Sequence, residues 1–288
     1  MSSFVKGIAT SFVLIMSATT AVAAHAEDAP PASDGGPVLS GSLDVWAGND
    51  YVTPHGLVAT TRGGSVQTTG QATLALPSGV AFTAGVWTDF NPDYDKIGTS
   101  TKTVNETDPF VAVTVPVTKR LALTAKYIAF IGNNLPKTAH NVALVASYAD
   151  GAPGKKFTIN PYAVLFYEVS GSSVIGVGKA GDTYDVWLGA TPTLKLDGLT
   201  IAAPTWVTVG PKSFFGPISD GNLGVVTTGL KITKPINLGP RAGKWAISAN
   251  VQYYHLANDN LRLVKSVLNR GDNDRDQLQF GLGLSAGF

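Results

Sequence analysis

The side chains with chemistry to offer are few and scattered. Beyond residue 26 the chain carries three histidines, His55, His140 and His255, and it has no cysteine. No two of these histidines stand at a spacing that would hold a metal ion, and without cysteine there is neither a disulfide framework nor a thiolate ligand. Strand register brings none of them beside a serine and a carboxylate, so the chain reads as a non-enzyme with no cofactor and no metal. What remains is a set of polar side chains at two-residue spacing. The charges are Asp44, Lys126, Glu168, Asp185 and Lys195; the uncharged members are Gln67, Gln71, Asn141, Asn250 and Gln252. Such groups do no covalent chemistry. Ranged along the inside of a wall, they would line water and set a modest field for small solutes and ions. If instead the charges paired with one another, they would plug the same space.

The elements that carry them read as strands. From Asp276 to Phe288 the sequence is DQLQFGLGLSAGF. Leu278, Phe280, Leu282, Leu284, Ala286 and Phe288 fall on one face, and glutamine, glycine and serine on the other, a period of two. The same alternation recurs over residues 40–49, 66–76, 80–87, 111–115, 121–129, 142–148, 184–190, 199–207 and 245–253. Residues 157–169 alternate less cleanly, and the register of 223–232 is open. The count is about twelve, an even number, as an up-and-down barrel with both ends on one side requires. Connections after odd strands are mostly long and polar, and those after even strands mostly short. Asp197-Gly198 is a hairpin signal. Pro116, Pro161, Pro192 and Pro204 fall in or beside strands of a sheet without edges, which predicts shorter strands there, with Pro192 to Pro204 as a long turn. Residues Leu261, Val264, Lys265 and Leu268 have helical spacing, suited to a short lid over one mouth. Outward aromatics group at the two ends: Tyr148, Phe157, Trp245 and Phe288 at one, Tyr127, Tyr184 and Tyr253 at the other, as membrane girdles would be.

Composition agrees. Charged residues make up 14% of the chain, against about 25% in soluble proteins. Lys6 is the first charge and Glu27 the next, and the apolar stretch between them ends in Ala24-His25-Ala26. That pattern predicts a secretory signal over 1–26, cut after Ala26. Residues 27–38 are Pro/Gly/Ala-rich and read as a flexible periplasmic lead, with one all-β domain over 39–288. Without Lys6, the 21 basic residues become 20, matching the 20 acidic ones. A chain with no net basic field is not expected to bind nucleic acid.

The leader, the alternation and the terminal aromatic together resemble bacterial outer-membrane β-barrels. That class implies an all-β, antiparallel up-and-down transmembrane barrel in a Gram-negative outer membrane, lipid as its surroundings, and Phe288 as a signal to the barrel-assembly machinery. Asn49-Asp50-Tyr51-Val52 through Gly56-Leu57, then Val66-Gln67, then Gly85-Val86-Trp87 is similar to the start of the TorF-type family of porins; here Pro54-His55 stands where that family has Phe-Arg. The resemblance implies a channel of unassigned substrate for passive diffusion of small hydrophilic solutes or ions. The alternative expectation is a non-conducting surface barrel whose loops act as an adhesin or a structural contact. On the channel reading Asp44 and Lys126 lie near mid-height, and Glu168, Asp185 and Asp89 toward the outer mouth.

Overall fold

The computed structural model describes residues 36–61, 63–91, 104–132, 135, 137–151, 154–176, 178–217, 221–239, 241–269 and 271–288. The expected signal segment and most of the lead lie outside these residues. Twelve antiparallel strands close on themselves: β1 (Val38–Gly48), β2 (Ser65–Ala75), β3 (Ala81–Phe90), β4 (Val104–Pro116), β5 (Leu121–Gly132), β6 (Ala139–Tyr148), β7 (Pro161–Ser170), β8 (Thr183–Ala190), β9 (Thr205–Val209), β10 (Leu223–Ile236), β11 (Lys244–Leu256) and β12 (Asp276–Gly287). Each pairs with its neighbours in sequence, and β1 pairs with β12 from Ser42↔Gly287 to Gly48↔Gly281. Phe288 extends that seam: its N–H donates to the Gly41 carbonyl and its own carbonyl accepts the Gly41 N–H, at 3.0 and 2.9 Å. The up-and-down barrel expected from alternation is the fold, and the alternation assigns its faces. Leu43, Phe82, Val111, Leu144, Leu188 and Leu282 are exposed on the outer surface. Of the outer aromatics, Tyr148, Tyr184, Trp245 and Tyr253 lie at or near strand ends as expected, whereas Tyr127 is mid-strand in β5.

Among the described residues two helices are not part of the wall, α1 (Lys212–Phe215) and α2 (Asp259–Leu268). The α2 helix occupies the predicted lid segment. Asn258 caps it, its side chain accepting the Asn260 N–H at 3.0 Å, and Leu261 and Val264 are buried. A short hairpin, 51–52 with 58–60, belongs to the connection between β1 and β2.

Three expectations change. The fourth strand starts at Val104 rather than Val111, so Glu106 and Asp108 belong to the wall and not to a loop. The single strand expected over 199–207 is broken, with 199–202 and 205–209 separated at Ala203-Pro204. Its neighbours break at the same level: 157–158 is separated from β7, and 193–196 from β8. The result is a crease across adjacent strands. Pro192 and Pro204 have no N–H for the ladder. Their carbonyls accept the Ala203 and Gly229 N–H groups instead, and Asn160 enters the crease at φ 49°. Lastly, Pro192 to Pro204 is not a long turn. Below the crease 193–196 and 199–202 form a tight hairpin, with Gly198 at φ 67° in the Asp197-Gly198 turn.

Candidate functional site: the barrel lumen

The lumen has two unlike halves. Toward the end that carries the long connections, called here the loop end, inward positions are large and apolar. Phe110, Ile128, Phe130, Phe166, Trp187, Trp206 and Tyr254 all point in and are buried in one cluster. No single strand signals this, because each contributes only one or two such residues. The space they leave is filled by the connection between β1 and β2. Val52 and Val58 join the cluster, together with Val174 and Ile175 of the β7–β8 connection and Phe214 and Phe215 of α1.

His55 sits at the centre of this filling. Its Nδ1 lies 3.0 Å from Asp185 Oδ2, and the same oxygen accepts the Trp187 indole N–H at 2.7 Å. Phe166, Trp187 and Phe214 surround the imidazole, with ring centroids 4.4 to 5.4 Å away. The loop is tied down on either side. Trp206 donates to the Pro54 carbonyl at 3.0 Å, Asn269 just past α2 donates to the Val58 carbonyl at 3.1 Å, and Tyr51 donates to Glu106 at 2.6 Å. Asp50 accepts from Gln277 at 2.6 Å. Burial pushes the Asp50 carboxyl up to about 6, the bond from Gln277 working against the rise.

The predicted lining residues divide between the halves. Gln67, Asn141, Glu168, Asp185 and Gln252 point inward as expected, but they are buried in the filled half. Gln67 donates to Ser65 at 3.2 Å, Asn141 to the Ala139 carbonyl at 3.3 Å, and Glu168 accepts the Val174 N–H at 2.9 Å. Gln252 donates to Thr227. Asp89, expected at the mouth, is buried too, accepting from Ser65 and Asn105. Asp44, Gln71 and Lys126 are half-buried in the other half, and Asn250 is buried in its wall. Lys195 lies on the hairpin below the crease, level with Thr233 through Thr200. The filling is therefore not made by lining charges that pair with each other; a loop and aromatic side chains make it.

The other half, at the end with the short turns, is polar and partly open. Threonine pairs bridge neighbouring strands, Thr73 with Thr83 and Thr114 with Thr124, each at 2.9 Å. Thr124, Ser42, Ser248 and Ser285 are half-buried. The Lys126 ammonium lies 3.8 Å from the centroid of the Phe110 ring, at the boundary between the halves, a cation–π contact. Lys231 also points into the lumen and faces the charge of Asp44. Sequence reasoning missed Lys231, although Leu230 and Ile232 on either side are exposed outside and would have fixed its face.

One spacing resembles a nucleophile motif. Gly283, Ser285 and Gly287 have the Gly-x-Ser-x-Gly pattern. A nucleophile elbow needs a sharp turn from strand to helix, whereas Ser285 lies in the regular ladder of β12, paired with Asp44 and Ala246. All three histidines belong to the loop end, and His140 and His255 point outward to Tyr127 and Asp276.

No protein-family profile matches the chain, and no curated protein matches it in sequence. The TorF-type resemblance therefore rests on its motif residues alone. Among solved structures the chain is similar to a bacterial polysaccharide outer membrane secretin, at 8% identity over 87% of this chain and 97% of that one, with a TM-score of 0.49. It is similar to OprB of Pseudomonas putida at 9% identity over 88% and 95%, TM-score 0.39. An anion-selective porin from Comamonas acidovorans is similar at 9% identity over 88% and 99%, TM-score 0.32.

Proposed function

We propose that this barrel is a narrow channel of the bacterial outer membrane for small hydrophilic solutes or ions, and that the state described is its closed one. The observation that carries this reading is the wall itself, apolar outside on every barrel strand and hydrogen-bonding inside over its open half. An apolar exterior of this extent suits lipid, and water has no such need of it. The gate is the segment 49–61, which fills the loop end through His55 and is held there by apolar packing and hydrogen bonds. On this reading the protein is not an enzyme, and Phe288, at the seam, serves barrel assembly.

The packing of the loop end favours a second reading, a non-conducting surface barrel that works through its loops. Single-channel recording in a planar bilayer separates the two. The refolded chain is compared with a variant in which residues 51–61 are replaced by a short Gly-Ser bridge. The channel reading expects rare, brief steps from the intact chain and long, discrete ones from the variant. If the variant folds and inserts but neither protein conducts, the channel is ruled out and the loop-mediated reading stands.

A further inference from the structure

We propose that the β10–β11 wall carries a binding site for a small oxyanion, a carboxylate or a phosphate, built from Lys231, Asn250 and Thr233. Lys231 and Asn250 are direct cross-strand partners, and Thr233 follows Lys231 by two residues on the same inward face. All three are more than nine-tenths buried, at 5%, 8% and 4% exposure. Two of their polar atoms, Asn250 Nδ2 and Thr233 Oγ1, have no hydrogen-bond partner among the described residues. A buried donor left unsatisfied is costly, and here two stand on the wall beside an ammonium.

The amide is held in place. Asn250 Oδ1 accepts the Trp46 indole N–H at 2.7 Å, which leaves Nδ2 as the end without a bond. Trp46 is fixed in turn, because its ring lies over Gly48 and Gly281, where a Cβ would come within 2.1 and 2.4 Å of it. A preorganised amide N–H, a hydroxyl and an ammonium are all donors, and oxygens of an anion accept from such groups with charge-assisted strength. The Lys231 ammonium disfavours a cation at these donors. Asp44 balances Lys231 when the site is empty, and its carboxylate competes with any incoming anion. Half-buried Asp44, Ser248 and Ser285 on neighbouring strands line the way in from the turn end. The site is reached without crossing the filled half, so it does not depend on conduction.

The test is isothermal titration of the refolded full chain in zwitterionic detergent with inorganic phosphate and, separately, with acetate, at constant ionic strength. Saturable one-to-one binding of either supports the site, and the anion that binds tells a phosphate site from a carboxylate site. Lys231→Gln should weaken it by about tenfold or more, the loss expected for one charge-assisted bond. Thr233→Val, a near-isosteric change, should weaken it less, and Asp44→Asn should tighten it. Lys179→Gln, an exposed cation at the loop end paired with Asp182, should leave it unchanged. Folding of each variant is checked by heat-modifiable gel mobility. If Lys231→Gln does not fold, Thr233→Val and Asp44→Asn decide. No saturable heat from either anion, or binding indifferent to the variants that fold, overturns the proposal.

Discussion

The two halves of the lumen are built by the same strands and the same alternation, yet one is packed and the other is not. At the loop end the inward residues are aromatic, and a connecting segment comes in to pack against them. At the turn end they are threonine, serine and charged groups, and the short connections between strands there have no residues to spare for filling. The contrast teaches that a period of two separates inside from outside but says nothing about whether the inside is full. Fullness is set by the pairing of large inward side chains with a connection long enough to fold back.

The largest effect that would break this contrast comes from the packed half. Trp187→Ala removes a buried ring that touches His55 and leaves Asp185 without its indole donor. We expect a loss of about 3–5 kcal/mol, as for other buried aromatic truncations, read from chemical denaturation of the refolded barrel. A loss below about 1 kcal/mol would mean that this half is loosely filled after all.

The outer face supplies the next test. Leu282→Lys puts a charge on the apolar face near mid-strand, and a cost of about 2–4 kcal/mol is expected in lipid. The inward change Ser248→Lys, into the open half, should cost little. Equal costs measured in bilayers would contradict the assignment of faces to lipid and water.

A smaller effect follows from pH. The Asp50 carboxyl is raised from 3.8 to about 6 in the folded protein, so folding takes up a proton between those values. Attachment of the filling loop should be strongest at low pH, weaken by at most about 3 kcal/mol as pH rises through 4 to 6, less what solvent screening removes, and stay level above that. Hydrogen exchange at the amides of residues 51–60 reads this, and Asp50→Asn should flatten it. A loop that becomes more protected as pH rises would show the sign to be wrong.

The smallest effect belongs to the open half. Thr114→Val breaks its bond to Thr124 where water can reach, and about 0.5–1 kcal/mol should be lost. A loss as large as that of Trp187→Ala would erase the distinction between the halves.

Much of the wall was legible residue by residue. Leu278 to Phe288 gave the face and direction of β12, and Val142 to Tyr148 did the same for β6, because a half-buried strand must alternate. The candidate site was legible only in part. Asp44 and Lys126 were read near mid-height; both are half-buried, and Lys126 lies where the two halves meet. Glu168 and Asp185 were placed on the right face, but nothing in their own strands shows that a loop will cover them. Lys231 escaped because its strand has Gly224 and Gly229 on the inward face, which blur the pattern, and His55 was read as a loop residue although its partners lie on β7, β8 and α1.

The sequence by itself determined which residues face in and which face out, the number of strands and the end at which the long connections lie, since these follow from local periodicity and chain length. Only the tertiary structure decided that the loop end is filled, that three strands crease together at Asn160, Pro192 and Pro204, and that Trp46 orients Asn250 beside Lys231. Those facts depend on residues far apart in the chain meeting across a closed wall, and closure is a property of all twelve strands at once.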